Sequence, residues 1–385
     1  MNKKMENQSI EIIDTDNEKM FPITYKDLEA MVEEKLPKGN YEYIRGGAGS
    51  EQTMRNNRIA FESYSLVPQL LKDTSQVNTS ISLFNRTHPT PFIFAPVGMN
   101  LLEHPDGELA VAKAASNLNM PYSLSTLSSY SLEEVAQVAP NSTKFFQVYW
   151  SVNEELSLSM ISRAEDAGYK AIILTIDTTT MGWREGDLKQ NFSPISQGYA
   201  KGNYINDPIF QMNLTNGTYE NYIDGILKNL HHPHLTWAHV EKLKKYTNLP
   251  VLLKGILHPN DALKALESGI DGFIVSNHGG RQLDGVIGSL DALPDIVKHV
   301  NGKVPVLFDS GIYSGVDAFK ALALGADAVC IGRPYVYGLV IAGEQGVERV
   351  MTNIYNELVT TMKLAGVRSI DELRKIELVK RKSHI

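Results

Sequence analysis

From residue 92 onward, short apolar runs rich in β-branched and aromatic residues alternate with longer stretches in which apolar positions recur every three or four residues. The runs fall at 92–95, 122–124, 145–148, 171–176, 251–253, 272–275, 304–308 and 328–331. They are too short for helices and too uniformly apolar for half-exposed strands, so they predict strands buried on both faces. Amphipathic stretches at 107–117, 132–138, 154–167, 260–267 and 316–324 fit between them as crossover helices. Eight strands, each followed by a helix, predict an α/β fold of the (β/α)8 TIM-barrel type. The polar residues keep register with this pattern. At or just past the strand ends stand Gly98, Ser125, Gln147 with Tyr149, Thr175 with Asp177, Lys254, His278 with Arg281, Asp309, and Gly332 with Arg333. The strand starts instead carry Pro91, Pro121, Pro250 and Pro305. In such barrels the carboxyl ends of the strands form the active face.

Before the barrel the pattern is helical. Residues 24–36 place Leu28, Met31, Val32 and Leu36 at helical spacing with Thr24 as a cap, and further helices are expected around 41–47 and 51–61. Residues 65–91 are turn-rich without clear periodicity. The expected division is an N-terminal arm and helical cap over 1–90, the barrel over 91–365 and a C-terminal tail over 366–385, with the first 20 or so residues a polar arm. One connection is anomalous. Asp177 and Lys254 are 77 positions apart, while the other strand ends follow one another at well under half that distance. The excess, about 186–236, is rich in Asn, Gly, Tyr and Pro, and a long loop on the active face predicts a lid insertion after strand four.

Composition narrows the function classes. A hydrophobic share of 43% and a charged share of 21% are ordinary for a globular protein. A net charge of −7 argues against nucleic acid or an anionic membrane as partner. No stretch reads as a membrane span and the start lacks a signal-peptide core, so the cytoplasm is the expected location. The single cysteine, Cys330, lies inside an apolar run and reads as a buried core residue.

The candidate chemistry centres on SNHGGRQLDG, Ser276 to Gly285. An imidazole, His278, and a guanidinium, Arg281, are separated by two glycines that permit a backbone path closed to other residues. Imidazole is a general base near neutral pH and guanidinium matches a carboxylate, which suits removing a proton from a small acid while holding its carboxylate. Asp177 is placed to pair with an imidazolium formed at His278. Arg184 would give the carboxylate a second guanidinium, although the same spacing fits a surface arginine. Asp309-Ser310-Gly311 and Gly332-Arg333-Pro334 end strands seven and eight, where this barrel often cradles a phosphate; Asp309 would suit a ribityl or ribose hydroxyl. Lys254 closes an apolar run and fits a Schiff base, a carbamylated metal ligand or a fixed cation. No paired metal-ligand spacing stands out, and His231, His232 and His234 of HHPH read as a solvated loop.

Together these motifs resemble the FMN-dependent α-hydroxy acid oxidase and dehydrogenase family, which includes glycolate oxidase, lactate oxidase and lactate monooxygenase. SNHGGRQLDG, the TID…R run, VLLKGI, DSGI and IGRP carry the resemblance, over residues from about 24 to 380. It implies FMN bound over the barrel mouth. It implies His278 as base with Asp177 as partner, Arg184 and Arg281 on the substrate carboxylate, and the Tyr43 and Tyr149 hydroxyls lining the site. Lys254 would lie beside the flavin N1–C2 edge, with Ser276 also a cofactor contact. Ser125, Gln147 and Thr175 would face the isoalloxazine, Pro96-Val97-Gly98 would pass its N5 side, and Asp309, Gly311, Gly332 and Arg333 would take the ribityl phosphate. The implied reaction is oxidation of a small L-2-hydroxy acid, lactate above all, with O2 reduced to H2O2, by a homotetramer. Monooxygenation, another 2-hydroxy acid such as glycolate, and a phosphate-binding barrel without redox chemistry are the alternatives. Three residues depart from the relatives: Gly98 replaces the usual alanine, Leu127 an aromatic near the substrate side chain, and Tyr313 an arginine on the FMN phosphate.

Overall fold

The computed structural model describes residues 21–381. Its centre is a closed barrel of eight parallel strands: β1 (Phe92–Phe94), β2 (Tyr122–Ser125), β3 (Lys144–Val148), β4 (Ala171–Thr175), β5 (Val251–Ile256), β6 (Gly272–Val275), β7 (Val306–Phe308) and β8 (Ala328–Ile331). They pair in sequence order, and β8 returns to β1 through Val329, Cys330 and Ile331. Every strand of the expected eight is present, within a residue or three at the ends. Seven strands are buried along their whole length, and β5 is broken only at Gly255. Side chains such as Leu253 and Phe273, both at 0% exposure, each stabilise the fold by about 1.5–3 kcal/mol relative to leaving them in water.

The register of this sheet matters for the site. Ser125 pairs with Gln147 across β2–β3, and Thr175 pairs with Lys254 across β4–β5. Four polar side chains therefore stand in one layer at the carboxyl ends. Past Lys254 the register slips by a residue, where Gly255 takes φ +117°. A Cβ there would lie 2.7 Å from the Asp177 Cβ, so only glycine lets Asp177 pack against β5.

Three helices precede the barrel: α1 (Tyr25–Lys35), α2 (Lys38–Arg45), which borders the mouth, and α3 (Gln52–Glu62), which packs on the loop of His278. Thr24 caps α1 by accepting from Asp27 N at 3.2 Å, and Leu28 and Val32 form its buried stripe. The polar arm expected over the first 20 residues lies outside the described residues.

Three features differ from the sequence expectation. Residues 65–91 hold a small antiparallel pair, Ile81–Leu83 with Arg86–His88, and Tyr64–Leu66 pairs with Leu378–Lys380 from the far end of the chain. The segment between Asp177 and β5 is largely helical rather than loop, at Glu185–Gln190, Gly202–Ile205, Pro208–Thr215, Tyr222–Leu230 and Trp237–Tyr246. Asp207 and Asn221 cap two of these by accepting from the first-turn amides. After β8 a long helical run, Arg333–Ala365, breaks at Ala342 and Gly343, whose dihedrals leave the helical region.

Candidate active site

The strand ends and α2 enclose a cavity of about 590 Å³. Its wall over β2–β4 is a chain of neutral hydrogen bonds. Ser125 Oγ donates to Gln147 Oε1 at 3.1 Å, and Gln147 Nε2 donates to Thr175 Oγ1 at 2.8 Å. All three side chains are buried, so each polar group is satisfied inside the wall while facing the layer of Lys254.

Lys254 is buried at the floor. Its Nζ donates to Ser276 Oγ at 3.0 Å and lies 3.3 Å from Asp309 Oδ2. Burial opposes its charge, but Asp309, Asp177 and Tyr149 outweigh that and push its pKa up to about 12. It is a permanent cation, which fits neither a Schiff-base amine nor a carbamylated ligand. Burial also pushes the Tyr149 phenol up to about 12, so it enters the cavity as a hydrogen-bonding hydroxyl.

The imidazole of His278 stands beside this ammonium. Its Nδ1 lies 2.9 Å from Asp177 Oδ1. A carboxylate only accepts, so Nδ1 carries the proton and Nε2 is left with a free lone pair. Burial, with Lys254 adding to it, lowers the His278 pKa below the ordinary imidazole value, although Asp177 pulls the other way. Asp177 is itself held below the usual carboxylate range: burial raises it, but His278, Lys254 and the His278 and Thr178 hydrogen bonds prevail. The result is a neutral imidazole already oriented to receive a proton.

The loop that presents His278 is strained and pinned. His278, Gly279 and Gly280 all have positive φ, at 58°, 65° and 76°. A Cβ on Gly280 would come within 2.9 Å of Met54 N, so α3 passes over the loop at a distance only glycine permits. Asn277 and Asn57 exchange amide hydrogen bonds of 2.7 and 2.9 Å, and Asn277 Oδ1 also accepts from Gly280 N. This pair, separated by 220 positions, carried no local sequence signal.

The third feature is a cluster of guanidiniums. Arg281 Nη1 donates to the carbonyls of Tyr43 at 2.6 Å and Gly46 at 2.7 Å, at the end of α2, and its Cζ lies 4.9 Å over the Tyr43 ring. Arg184 Nε donates to the Arg281 carbonyl at 3.1 Å, and its Cζ lies 6.0 Å from the same ring. The bland reading of Arg184 as a surface residue fails, since its side chain is 11% exposed. Arg333 donates to the carbonyls of Ile44, Gly279 and Gly46 and has no carboxylate partner among the described residues. Burial, then the nearby Arg184 and Arg333, pull the Arg281 pKa down to about 10. Three cations thus face one another with carbonyl dipoles and one distant carboxylate, Asp187 at 3.9 Å from Arg184.

The remaining candidates lie on the same cavity: Tyr43, Pro96, Val97, Gly98, Ser125, Asp309, Gly311, Gly332 and Arg333 line it, as do Leu127 and Tyr313. Gln147, Thr175, Asp177 and Ser276 sit directly behind the lining, each hydrogen-bonded to a lining residue or its neighbour. Tyr313 stacks on Tyr25 of α1, centroids 3.6 Å apart and planes 2° from parallel, with Arg58 Cζ 4.5 Å above its ring. Arg58 is committed elsewhere, to Asp317 at 2.8 Å and to the Gly311 carbonyl. The HHPH expectation needs correction. His231 lines the cavity, and His232 is buried and meets His239 edge-on at 4.8 Å; only His234 is exposed. The helical insert folds His231 inward, which loop-like composition had hidden.

Known proteins share this sequence pattern and fold. The model of the FMN-dependent dehydrogenase family matches residues 32–380. The chain is 62% identical over 360 residues to an L-lactate oxidase of Lysinibacillus sphaericus, covering 94% of this chain and 93% of that one. It is 40% identical to an L-lactate oxidase of Nostoc, covering 91% and 96%. Among solved structures, a mandelate oxidase superposes with TM-score 0.84 at 38% identity, covering 94% of this chain and 99% of the other.

Proposed function

The chain belongs to the FMN-dependent dehydrogenase family, and on that premise we propose that it oxidises L-lactate to pyruvate and passes the electrons to O2, giving H2O2. The residues present fit FMN. A buried ammonium, a neutral amide and hydroxyl wall, and glycine-rich backbone after β7 and β8 with the uncompensated Arg333 suit a flat heterocycle with a phosphate tail. Lys254, Ser276, Ser125, Gln147, Thr175 and Pro96-Val97-Gly98 would hold its ring system, and Asp309, Gly311, Gly332 and Arg333 its ribityl phosphate. FMN, when bound, supplies the acceptor for the electron pair that leaves the α-carbon and hands that pair to oxygen.

The chain's own residues do the rest. Arg281 and Arg184 bind the lactate carboxylate, and Tyr43 and Tyr149 orient it from the sides. His278 Nε2 accepts the substrate proton, Asp177 stabilises the imidazolium, and the Lys254 ammonium would favour negative charge on a bound FMN. The observation that carries this reading is the His278–Asp177 pair of 2.9 Å beside three guanidiniums that, among the described residues, share a single carboxylate, Asp187 at 3.9 Å from Arg184. Leu127, at 9% exposure, limits the space for the substrate side chain and supports a methyl group there.

Gly98 is explained by packing and does not point to monooxygenation. A Cβ on it would lie 2.8 Å from the Leu127 carbonyl oxygen, so close backbone approach already requires glycine and no oxygen chemistry need be invoked. Residues 186–236 act as the lid; Phe192, Ile195, Leu230 and His231 of that segment line the cavity. A cytoplasmic homotetramer is part of the proposal. Among the described residues no helix is long and apolar enough to cross a membrane. Sedimentation equilibrium checks the tetramer. The function itself is tested by quantifying pyruvate and peroxide formed from L-lactate under air: equal amounts are expected, and acetate as the main product would transfer the chain to the monooxygenase reading.

A further inference from the structure

The two arginines on the cavity's rim are held in opposite ways. Arg281 commits Nη1 to the carbonyls of Tyr43 and Gly46, and its Nε and Nη2 have no hydrogen-bond partner among the described residues. Those two atoms form an edge whose parallel N–H bonds match a carboxylate. In Arg184 the same edge is occupied inside the protein: Nε donates to the Arg281 carbonyl at 3.1 Å and Nη2 to Gln282 Oε1 at 3.2 Å. Arg184 keeps Nη1, which lies 3.9 Å from Asp187 Oδ2. Both guanidiniums line the cavity.

Gln282 does more than accept that bond. Its Nε2 donates to the carbonyls of Thr180 at 3.0 Å and Asp177 at 3.2 Å, in the loop after β4. Carbonyls only accept and a guanidinium only donates, so one orientation of the amide satisfies all three partners. Gln282 follows β6, and β5 separates that strand from β4, so one side chain joins the loops of two strands that do not pair. The loops also touch directly, since a Cβ on Gly182 would come within 2.8 Å of Gln282 Cα. Asp177, the partner of His278, and Arg184 both belong to the segment that Gln282 grips.

We propose that Gln282 is the positioning residue of the substrate clamp: it fixes Arg184 as a single donor through Nη1, complementing the two-donor edge of Arg281, and holds that donor in place relative to Asp177. The proposal rests on the reading of the cavity as a 2-hydroxy acid site. Asp187 is the group with which Gln282 competes. It lies three residues after Arg184, in the first turn of the helix Glu185–Gln190. Without the Gln282 acceptor the guanidinium is free to turn and close that ion pair, and Nη1 is withdrawn from the substrate carboxylate.

The test titrates FMN-loaded protein with pyruvate, read from the change in flavin absorbance. Gln282→Met keeps the bulk and removes all three hydrogen bonds; it should weaken pyruvate roughly 5- to 10-fold while FMN stays bound. Asp187→Asn should improve pyruvate affinity more in this variant than in the wild type, because only there has Arg184 turned to Asp187. In an Arg184→Met background, Gln282→Met should weaken pyruvate little further. Gln282→Asn, a methylene shorter, should move affinity in the same direction and carries the test if the methionine variant fails to fold. In anaerobic reduction by L-lactate, the half-saturating concentration should rise by a larger factor than the limiting rate falls. Unchanged pyruvate affinity in Gln282→Met, or an equal effect of Asp187→Asn in both backgrounds, would overturn the proposal. Wild-type protein that holds FMN but shows neither a pyruvate response nor reduction by lactate would defeat the functional reading instead, which keeps the two failures apart.

Discussion

Two groups of buried positive charge share one cavity, and burial has opposite outcomes in them. At the floor, Lys254 is paired with Asp309 at 3.3 Å, and its pKa is pushed up to about 12. At the rim, Arg281 faces Arg184 and Arg333 and is pulled down to about 10. The floor cation has its counter-ion built into the fold, so it is fixed equipment for whatever lies above it. Arg281 and Arg333 meet carbonyls, and the three rim cations share one carboxylate at 3.9 Å from Arg184, so in the proposed function a substrate anion completes the set.

The largest effect should come from breaking the floor pair. Lys254→Met leaves Asp309 buried and unpaired, and unfolding in denaturant should show a loss of about 3–5 kcal/mol. Adding Asp309→Asn should restore a large part of it. Unchanged stability in the single variant would mean that the pair is solvated and the contrast false. The rim should respond in the opposite sense. Arg281→Met relieves repulsion among cations and should leave stability unchanged or higher, while pyruvate binding weakens roughly 10- to 100-fold. Arg281→Lys should recover only part of that affinity, since the fork is lost. Equal pyruvate affinity in all three proteins would remove Arg281 from substrate binding.

A smaller effect should appear in pH dependence. In the proposed function the competent form of His278 is neutral, and its pKa lies below the ordinary value because of burial and Lys254. Activity is therefore retained above that pKa and lost as pH falls through it, placing the acid limb of kcat/KM below about 6.5. Asp177→Asn removes the anion that raises this pKa, so the limb should move to still lower pH while the maximal rate drops. A limb that moves upward would contradict the assigned pairing. Smallest of all should be hydrogen exchange over 186–236. Pyruvate should increase protection there, and identical exchange with and without it would favour a static wall over a lid.

The barrel was legible in the sequence because its strands are uniformly apolar and end in polar residues, a pattern that periodicity exposes. His278, Asp177, Lys254 and both arginines followed from that register together with the family motifs. What remained hidden depended on long-range contact. Tyr64–Leu66 pairs with Leu378–Lys380 across most of the chain, and nothing local in either segment announces a strand. Asn57 and Asn277 hold the loop of His278 through a pairing that no spacing reveals. The helices of the insert were missed although Asp207-Pro208 and Asn221 are cap signals, because a composition rich in Asn, Gly and Tyr outweighed them. Glu103 follows two leucines and precedes a His-Pro turn, where a surface position is the natural expectation. Only the fold shows that it is buried.

The central claim is that His278 receives the substrate proton in a cavity whose rim holds the carboxylate. Anaerobic mixing of the His278→Ala holoenzyme with L-lactate, following loss of the flavin absorbance, tests it most directly. Bound FMN and pyruvate affinity should be retained, and the reduction rate should fall roughly 10²-fold or more. Reduction at near the wild-type rate, with FMN bound and the protein folded, would contradict the account.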